Sequence, residues 1–237
     1  MNSKDFEILT WDSKFFNLKV AKSSSLFIED ELVDFLIELE KMEIDLFYLF
    51  TNQSLQNLNY DLYTCQLVDE KITYEKVIEP NSFCLTPNIF SYSSVDTSQE
   101  LINLAIQSGE YSRFKKDKNI SYQKFEELYE LWIKKSIIRE MAEDVLVYQT
   151  KEGVQGLITL VENGNIGLIS VNSTIQQQGI GTAMILAAEQ HFIKQKIFTL
   201  KVITQKSNVK ACLFYEKLGY KQKSLEYVYH FWLRKKS

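Results

Sequence analysis

Apolar residues recur along this chain with two spacings, and the switches between them lay out its elements. Leu32, Phe35, Leu36 and Leu39 stand at i, i+3, i+4 and i+7, which predicts an amphipathic helix with Glu and Lys on its outer face. Leu46 to Phe50 is a short, wholly apolar run and reads as a buried strand. A second short helix and two strands, Leu62 to Val68 and Lys71 to Ile78, are expected next, while the first segment, Phe6 to Ala21, mixes extended and turn signals. Pro80 and Pro87, the only prolines, bracket the start of a Ser- and Asn-rich stretch that runs to Thr97. The boundary between two halves is placed there, giving residues 1–90 and 91–237.

The second half opens with a helix, Ser98 to Gln107, and a polar loop, Gly109 to Ile120. A long helix with Phe125, Leu128, Tyr129 and Trp132 at helical spacing follows. Val145 to Tyr148, Val154 to Val161 and Ile166 to Val171 are apolar runs divided by Lys151-Glu152-Gly153 and Asn163-Gly164-Asn165, which predicts an antiparallel meander. A glycine loop leads into a helix with Gly181, Ile185, Ala188 and Phe192 on one face, then a strand, Ile197 to Thr204. A strand-helix-strand unit of that length makes the last strand parallel to Ile166–Val171. A helix from Asn208 to Leu218, stopped by Gly219, and a strand, Glu226 to Leu233, complete the pattern. The fold class is α/β (α+β), with a mixed, mostly antiparallel central sheet and flanking helices. The order Leu46–Phe50, short helix, Asn59-Tyr60 echoes Phe198–Thr204, helix, Gly219-Tyr220, a hint of a duplicated half-fold.

Composition narrows the function classes. With 237 residues, 45% hydrophobic and 24% charged, the chain can bury a sizeable core. Lys+Arg total 27 against 31 Asp+Glu, so the basic excess that binds a phosphate backbone is missing and nucleic acid is excluded as a partner. Cys65, Cys84 and Cys212 are too widely spaced for a metal or redox pair and read as reduced, mostly buried thiols. The first residues lack a basic-then-apolar leader, and no stretch approaches the roughly 18 apolar residues of a membrane span. A cytoplasmic protein without a membrane partner is expected.

Chemistry concentrates at Gln176-Gln177-Gln178-Gly179-Ile180-Gly181, between an apolar strand and the helix starting at Thr182. A helix N-terminus offers unpaired backbone N–H groups and partial positive charge, so this turn suits a phosphate. A Walker A loop is ruled out by the missing lysine, and a dinucleotide fingerprint by Met184 in place of a third glycine and the absent acid after the next strand. A plain strand-to-helix connection remains open on the glycines alone.

The residues downstream add to the loop. Gln176, Gly179 and Gly181 fit QxxGxG, and Asn208, Ala211, Tyr215 and Gly219, with Tyr220 after it, fit NxxAxxxYxxxG followed by an aromatic. Together these resemble the Gcn5-related N-acetyltransferase (GNAT) superfamily over about the last hundred residues. The resemblance implies a GNAT fold, an acyl-CoA co-substrate, and no metal or permanently bound cofactor. It implies that Gln176, Gln177, Gln178, Gly179, Ile180, Gly181 and Thr182 hold the coenzyme A pyrophosphate through backbone amides. The edge of Leu168–Val171 would pair with the pantetheine amides, with N–H groups near Ile169, Ser170 and Val171 available to an oxyanion. Asn208 would contact the pantetheine arm, and Tyr215 would sit beside the thioester sulfur. A phenol near pKa 10 is a poor acid toward a thiolate near 8.5, so Tyr215 is expected to act as a hydrogen-bond donor or late proton source. No general base is identified, and His191 and His230 read as surface or packing residues.

Trp11-Asp12-Ser13 with Phe15-Phe16, and Ser112-Arg113-Phe114 ahead of the helix bearing Tyr129 and Trp132, resemble the dTDP-fucosamine acetyltransferase branch of that superfamily. The resemblance implies a smaller N-terminal half like a truncated GNAT that contributes to the acceptor site. It also implies a dTDP-linked 3- or 4-amino-dideoxyhexose acceptor, an acetyl or hydroxyacyl group, and a place in making surface polysaccharide sugars. Arg113, with Phe114 beside it, offers a bidentate fork for the nucleotide diphosphate, or is a solvated charge. Trp11 reads as a core anchor. A protein, polyamine or antibiotic amine as acceptor, and a non-catalytic acyl-CoA-binding module, stay open. An exposed strand near the C-terminus suggests a homodimer.

Overall fold

The computed structural model describes residues 6–24, 29–56, 58–80 and 86–234. The first half supplies β1 (Glu7–Ile8), α1 (Thr10–Phe16), β2 (Val20–Ser23), α2 (Glu29–Lys41), β3 (Leu46–Thr51) and β4 (Tyr63–Val77). The second supplies β5 (Ile89–Ser91), α3 (Gln99–Ser108), α4 (Arg113–Lys116), α5 (Tyr122–Ile137), β6 (Asp144–Thr150), β7 (Gly153–Val161) and β8 (Asn165–Val171). After a 3-10 turn at Ser173–Ile175 come α6 (Ile180–Lys194), β9 (Thr199–Gln205), α7 (Val209–Lys217) and β10 (Lys221–Leu233).

All ten strands join one sheet in the order β1-β2-β3-β10-β4-β9-β8-β7-β6-β5. The meander β6-β7-β8 is antiparallel and β9 lies parallel to β8, as the turn chemistry predicts. The division near residue 90 does not divide the sheet, because β4 of the first half lies between β10 and β9 of the second. Side-chain alternation covers both faces. Leu146, Ile158 and Leu160 pack under Met184, Ile185, Ala188 and Phe192 of α6, whereas Val145, Val147 and Leu157 pack under α3 and α5. Leu32, Phe35, Leu36 and Leu39 bury the inner face of α2 against Phe47, Leu49 and Phe231 of the first half's end of the sheet.

Four sequence expectations are corrected. The two strands at 62–78 are one, β4: the polar run at Asp69-Glu70-Lys71 looks like a turn but is paired with β10 throughout and with β9 from Lys71 onward, and the irregularity is a bulge at Val68. Among the described residues no helix separates Thr51 from Tyr63, so the echo of a duplicated half loses its helix. Gly109–Ile120 is not wholly loop, since Ser112 caps the single turn α4 by accepting from the Lys115 N–H. Finally, the strand expected to be exposed, Glu226–Leu233, is paired on both sides over Tyr227–Trp232, with β3 on one and β4 on the other, and the open edge of β10 lies instead at Lys221–Glu226. Cys65 and Cys212 are free and half-buried, while Cys84 lies outside the described residues. Among the described residues no helix is long and apolar enough to cross a membrane.

Candidate active site

The parallel strands β8 and β9 pair only at Asn165↔Lys201 and Ile166↔Val202, then part. A bulge starts the divergence: between Ile158↔Ile169 and Leu160↔Ile166, β8 carries one residue more than β7. There the Thr159 hydroxyl accepts from the Leu168 N–H at 2.7 Å, and a Cβ on Gly167 would stand 2.5 Å from that hydroxyl. Beyond the bulge Asn172 donates its N–H to Gln155, so in this register Ser170 also faces β7. Ile169 and Val171 therefore turn their backbone groups to the opening. The Val171 carbonyl accepts from Gln107 at 2.8 Å and Gln176 at 3.0 Å, and Gln107 also donates to the Ser170 hydroxyl at 2.7 Å. The N–H groups of Ile169 and Val171 stay on the open edge.

The glycine loop closes the far end of β8. Gln177 and Gly179 both adopt positive φ, 65° and 82°, and Gly179 is the N-cap of α6 without any side-chain capping bond. By contrast Ser98, Ser121 and Asn208 cap α3, α5 and α7 with their side chains. The first-turn amides of α6, at Gly181 and Thr182, are thus left for an external acceptor. Gly181 lies against the Phe214 ring, which a Cβ would meet at 3.3 Å. Gln177, Gln178 and Gly179 are exposed and Ile180 is buried.

The opening continues as a cleft of about 790 Å³ lined by both halves of the chain. Its lining joins Ile169, Asn208 and Tyr215 to Trp11, Asp12, Phe50, Asp69 and Lys71 of the first half, together with Arg113, Phe114, Tyr129 and Trp132. The loop 176–182 lies outside this cavity, at the tip of β8. Asn208 uses its carbonyl oxygen to cap α7 through the Ala211 N–H, 3.2 Å away. Tyr215 is buried beside Tyr74 and Tyr220, and burial with the nearby Cys212 pushes its pKa up, so the phenol stays protonated and keeps an O–H to donate. Trp11 is 40% exposed and lines the cleft, which corrects the core-anchor reading; stacking on Phe15 at 5.2 Å holds it there.

Arg113 is not a solvated charge. Its guanidinium lies 4.1 Å over the Tyr48 ring and 4.2 Å over Phe114, and donates to His230 Nε2 at 3.1 Å. Since Arg113 only donates, Nε2 accepts, and the ring proton is on Nδ1, donated to Asp117 Oδ2 at 2.5 Å. Asp117 also accepts from Trp232 at 2.8 Å and from the Asn119 N–H at 2.9 Å. Burial disfavours the Asp117 carboxylate, but the bonds from His230, Asn119 and Trp232 outweigh it and hold its pKa low. Burial, with the Arg113 charge adding to it, takes His230 down to about 4, so the imidazole is neutral. His230 is a packing residue as expected, but one that aims Arg113.

Two carboxylates join the cleft unforeseen. Burial raises Asp12, against the pull of Arg113. Burial pushes Asp69 up to about 6, although the Gln205 amide and the charges of Lys116, Arg113 and Lys71 favour its ionised form. In sequence Asp69 belongs to a polar run that reads as a turn, and nothing local shows that β10 pairs with it. Among the described residues no cluster of His, Cys, Asp and Glu fits a metal ion.

Residues 116–231 match the family model of the acetyltransferase (GNAT) domain. Over those 116 residues, about half of its length, the chain is similar to GNAT acetyltransferases. The curated proteins YxbD and YdhI of Bacillus subtilis (strain 168) are 39% and 38% identical over 69 and 66 residues, 29% and 27% of this chain. These matches span 43% and 41% of the two relatives' lengths. A conserved protein of unknown function from Staphylococcus epidermidis ATCC 12228 shares the fold over 99% of this chain and 93% of its own, with TM-score 0.67 and 12% identity. A GCN5-related N-acetyltransferase from Sphaerobacter thermophilus covers 98% of this chain and 77% of its own, with TM-score 0.56 and 10% identity. The matched GNAT domain contains Asp117, Tyr215 and His230, while Trp11, Phe50, Asp69 and Lys71 come from the half before it.

Proposed function

We propose that this protein is an acyl-CoA-dependent N-acyltransferase that acylates the amine of a dTDP-linked 3- or 4-amino-dideoxyhexose, with an acetyl or hydroxyacyl group, on a route to surface polysaccharide sugars. The observation that carries the reading is the cleft between β8 and β9, which joins an open strand edge, a protonated Tyr215 and an uncapped helix start to an acceptor wall from the other half. In this reading the first-turn amides of α6 hold the coenzyme A pyrophosphate and the Ile169 and Val171 edge pairs with pantetheine. The amine attacks the thioester carbonyl directly, the strand N–H groups bind the oxyanion, and Tyr215 donates to the departing sulfur. The aromatic faces of Trp11, Phe50 and Trp132 suit a nucleotide base, and Arg113, Lys71 and Lys135 suit a diphosphate.

A second acceptor class, a polyamine or other cationic amine, is favoured by Asp12 and Asp69 in the same cleft. Free-thiol release from acetyl-CoA, measured with dTDP-amino sugars and in parallel with spermidine and a lysine peptide, decides between them. Thiol only with the cationic amines overturns the sugar acceptor. Tyr215→Phe should lower kcat at least tenfold and leave CoA affinity unchanged; wild-type turnover in that variant would refute the role given to its hydroxyl.

A further inference from the structure

Asp69 is a carboxylate that the fold buries with one oxygen unsatisfied. It is 5% exposed, and its Oδ1 has no hydrogen-bond partner among the described residues. Leaving a buried acceptor unpaired costs about 1–3 kcal/mol, more when it is charged, so such a group calls for a partner that arrives. The backbone has been reshaped to put it there. In β4, Leu67 pairs with Tyr229 and Asp69 with Val228, so Val68 is an inserted residue. The bulge leaves Leu67 exposed, buries Val68, and turns Asp69 into the cleft beside Val228 and Lys71.

Asp12, the other carboxylate of the cleft, is only half-buried and so still meets water, whereas the remaining candidates are already committed. His230 has its Nε2 lone pair on Arg113 and its Nδ1 proton on Asp117. Glu189 is bound to Lys76 at 2.7 Å, and His191 meets Glu143 at 3.2 Å; neither lines the cleft. Asp117 is also outside the cleft lining and has its oxygens filled.

We infer that Asp69, from the half that precedes the matched GNAT domain, is the catalytic base: it binds the acceptor's ammonium group and takes its proton. The inference rests on the N-acyltransferase reading but not on which amine is the acceptor. An ammonium N–H bond breaks and its proton passes to a carboxylate oxygen of Asp69. The freed nitrogen lone pair forms the bond to the thioester carbonyl carbon, and the carbon–sulfur bond breaks as the oxyanion collapses. A second proton leaves the nitrogen and balances the thiolate, to whose sulfur Tyr215 donates; the proton on Asp69 returns to solvent. With its pKa near 6 the carboxylate is ionised at neutral pH yet more basic than an exposed aspartate. Passage of the ammonium into the cleft, away from water, lowers the amine's pKa toward it.

The test compares wild type with Asp69→Asn and Asp69→Glu, using acetyl-CoA with a dTDP-amino sugar, spermidine and a lysine peptide. Asp69→Asn should lose at least about 100-fold in kcat with the active amine, keep its CoA affinity within twofold, and lose the acidic limb near pH 6 in kcat/KM. Asp69→Glu should keep that limb with a reduced kcat. Asp69→Asn with wild-type turnover, or with the limb in place, overturns the assignment. So does a loss in Asp69→Asn that is matched by lost CoA binding, with Asp69→Glu no more active than Asp69→Asn. Wild type that is silent with the sugar but active with another amine refutes the sugar acceptor and leaves Asp69 to be judged on that amine; silence with all three overturns both.

Discussion

Replacing Asp69 by Asn should make the protein more stable at neutral pH while making it a poorer enzyme. The folded state raises this carboxyl from 3.8 to about 6, through burial that the neighbouring cations only partly offset. At about 1.36 kcal/mol per unit the shift is worth about 3 kcal/mol. Its sign follows from proton counting. Between about pH 4 and 6 the folded protein holds the proton that the unfolded chain has released, so stability falls as pH rises through that window. Above about pH 6 the whole penalty is present, and Asn, which has no charged form, escapes it. His230 works in the opposite sense: lowered to about 4, it removes stability as pH falls below its ordinary 6.5, in both proteins alike. The comparison to make is therefore the change in urea-unfolding free energy between pH 4 and pH 8, wild type against Asp69→Asn, in which the other groups cancel. The expected difference is about 3 kcal/mol, or about 6 °C in Tm at pH 8 for a chain of this length. Parallel stability curves, within about 0.5 kcal/mol of one another, would refute a buried, under-satisfied Asp69.

Asp117→Ala leaves the His230 Nδ1–H and the Trp232 indole N–H without their acceptor, and should lower unfolding free energy by about 3 kcal/mol or more and free Arg113 to move, read as a raised acceptor KM. Gly179→Ala introduces a Cβ that meets nothing within 4 Å but is strained by a φ of 82°, so it should cost about 1–2 kcal/mol. Gly179→Asn should cost less, because Asn tolerates the left-handed region; equal losses for the two would point to a contact instead of strain.

What was legible in the sequence was whatever periodicity and turn chemistry decide locally. The inner face of α2, the meander β6-β7-β8 and the parallel return of β9 all follow from spacing, because each element's partner is its neighbour in the chain. The glycine loop and Tyr215 were visible for the same reason: backbone freedom and residue type at fixed offsets need no tertiary knowledge. Asp69 was not. A bulge is a property of two strands, and β10, which registers against it, lies far along the chain. Trp11 was misread because a lone tryptophan looks like core until a facing wall from the other half leaves a gap before it. His230, within the aromatic run Tyr227 to Trp232, could be called buried, but Asp117 and Arg113 reach it only through α4 and the turn after it.

The position of β10 between β3 and β4 also governs how the chain is made. While the ribosome is still working through the second half of the chain, β3 and the far side of β4 are already outside it, with a row of unpaired backbone groups between them that only β10 will fill. Pairings this distant in sequence form late and slowly. The nascent protein therefore spends most of its synthesis as an open-edged intermediate of the kind that chaperones shield, and any slowing of translation before Lys221 lengthens that exposure.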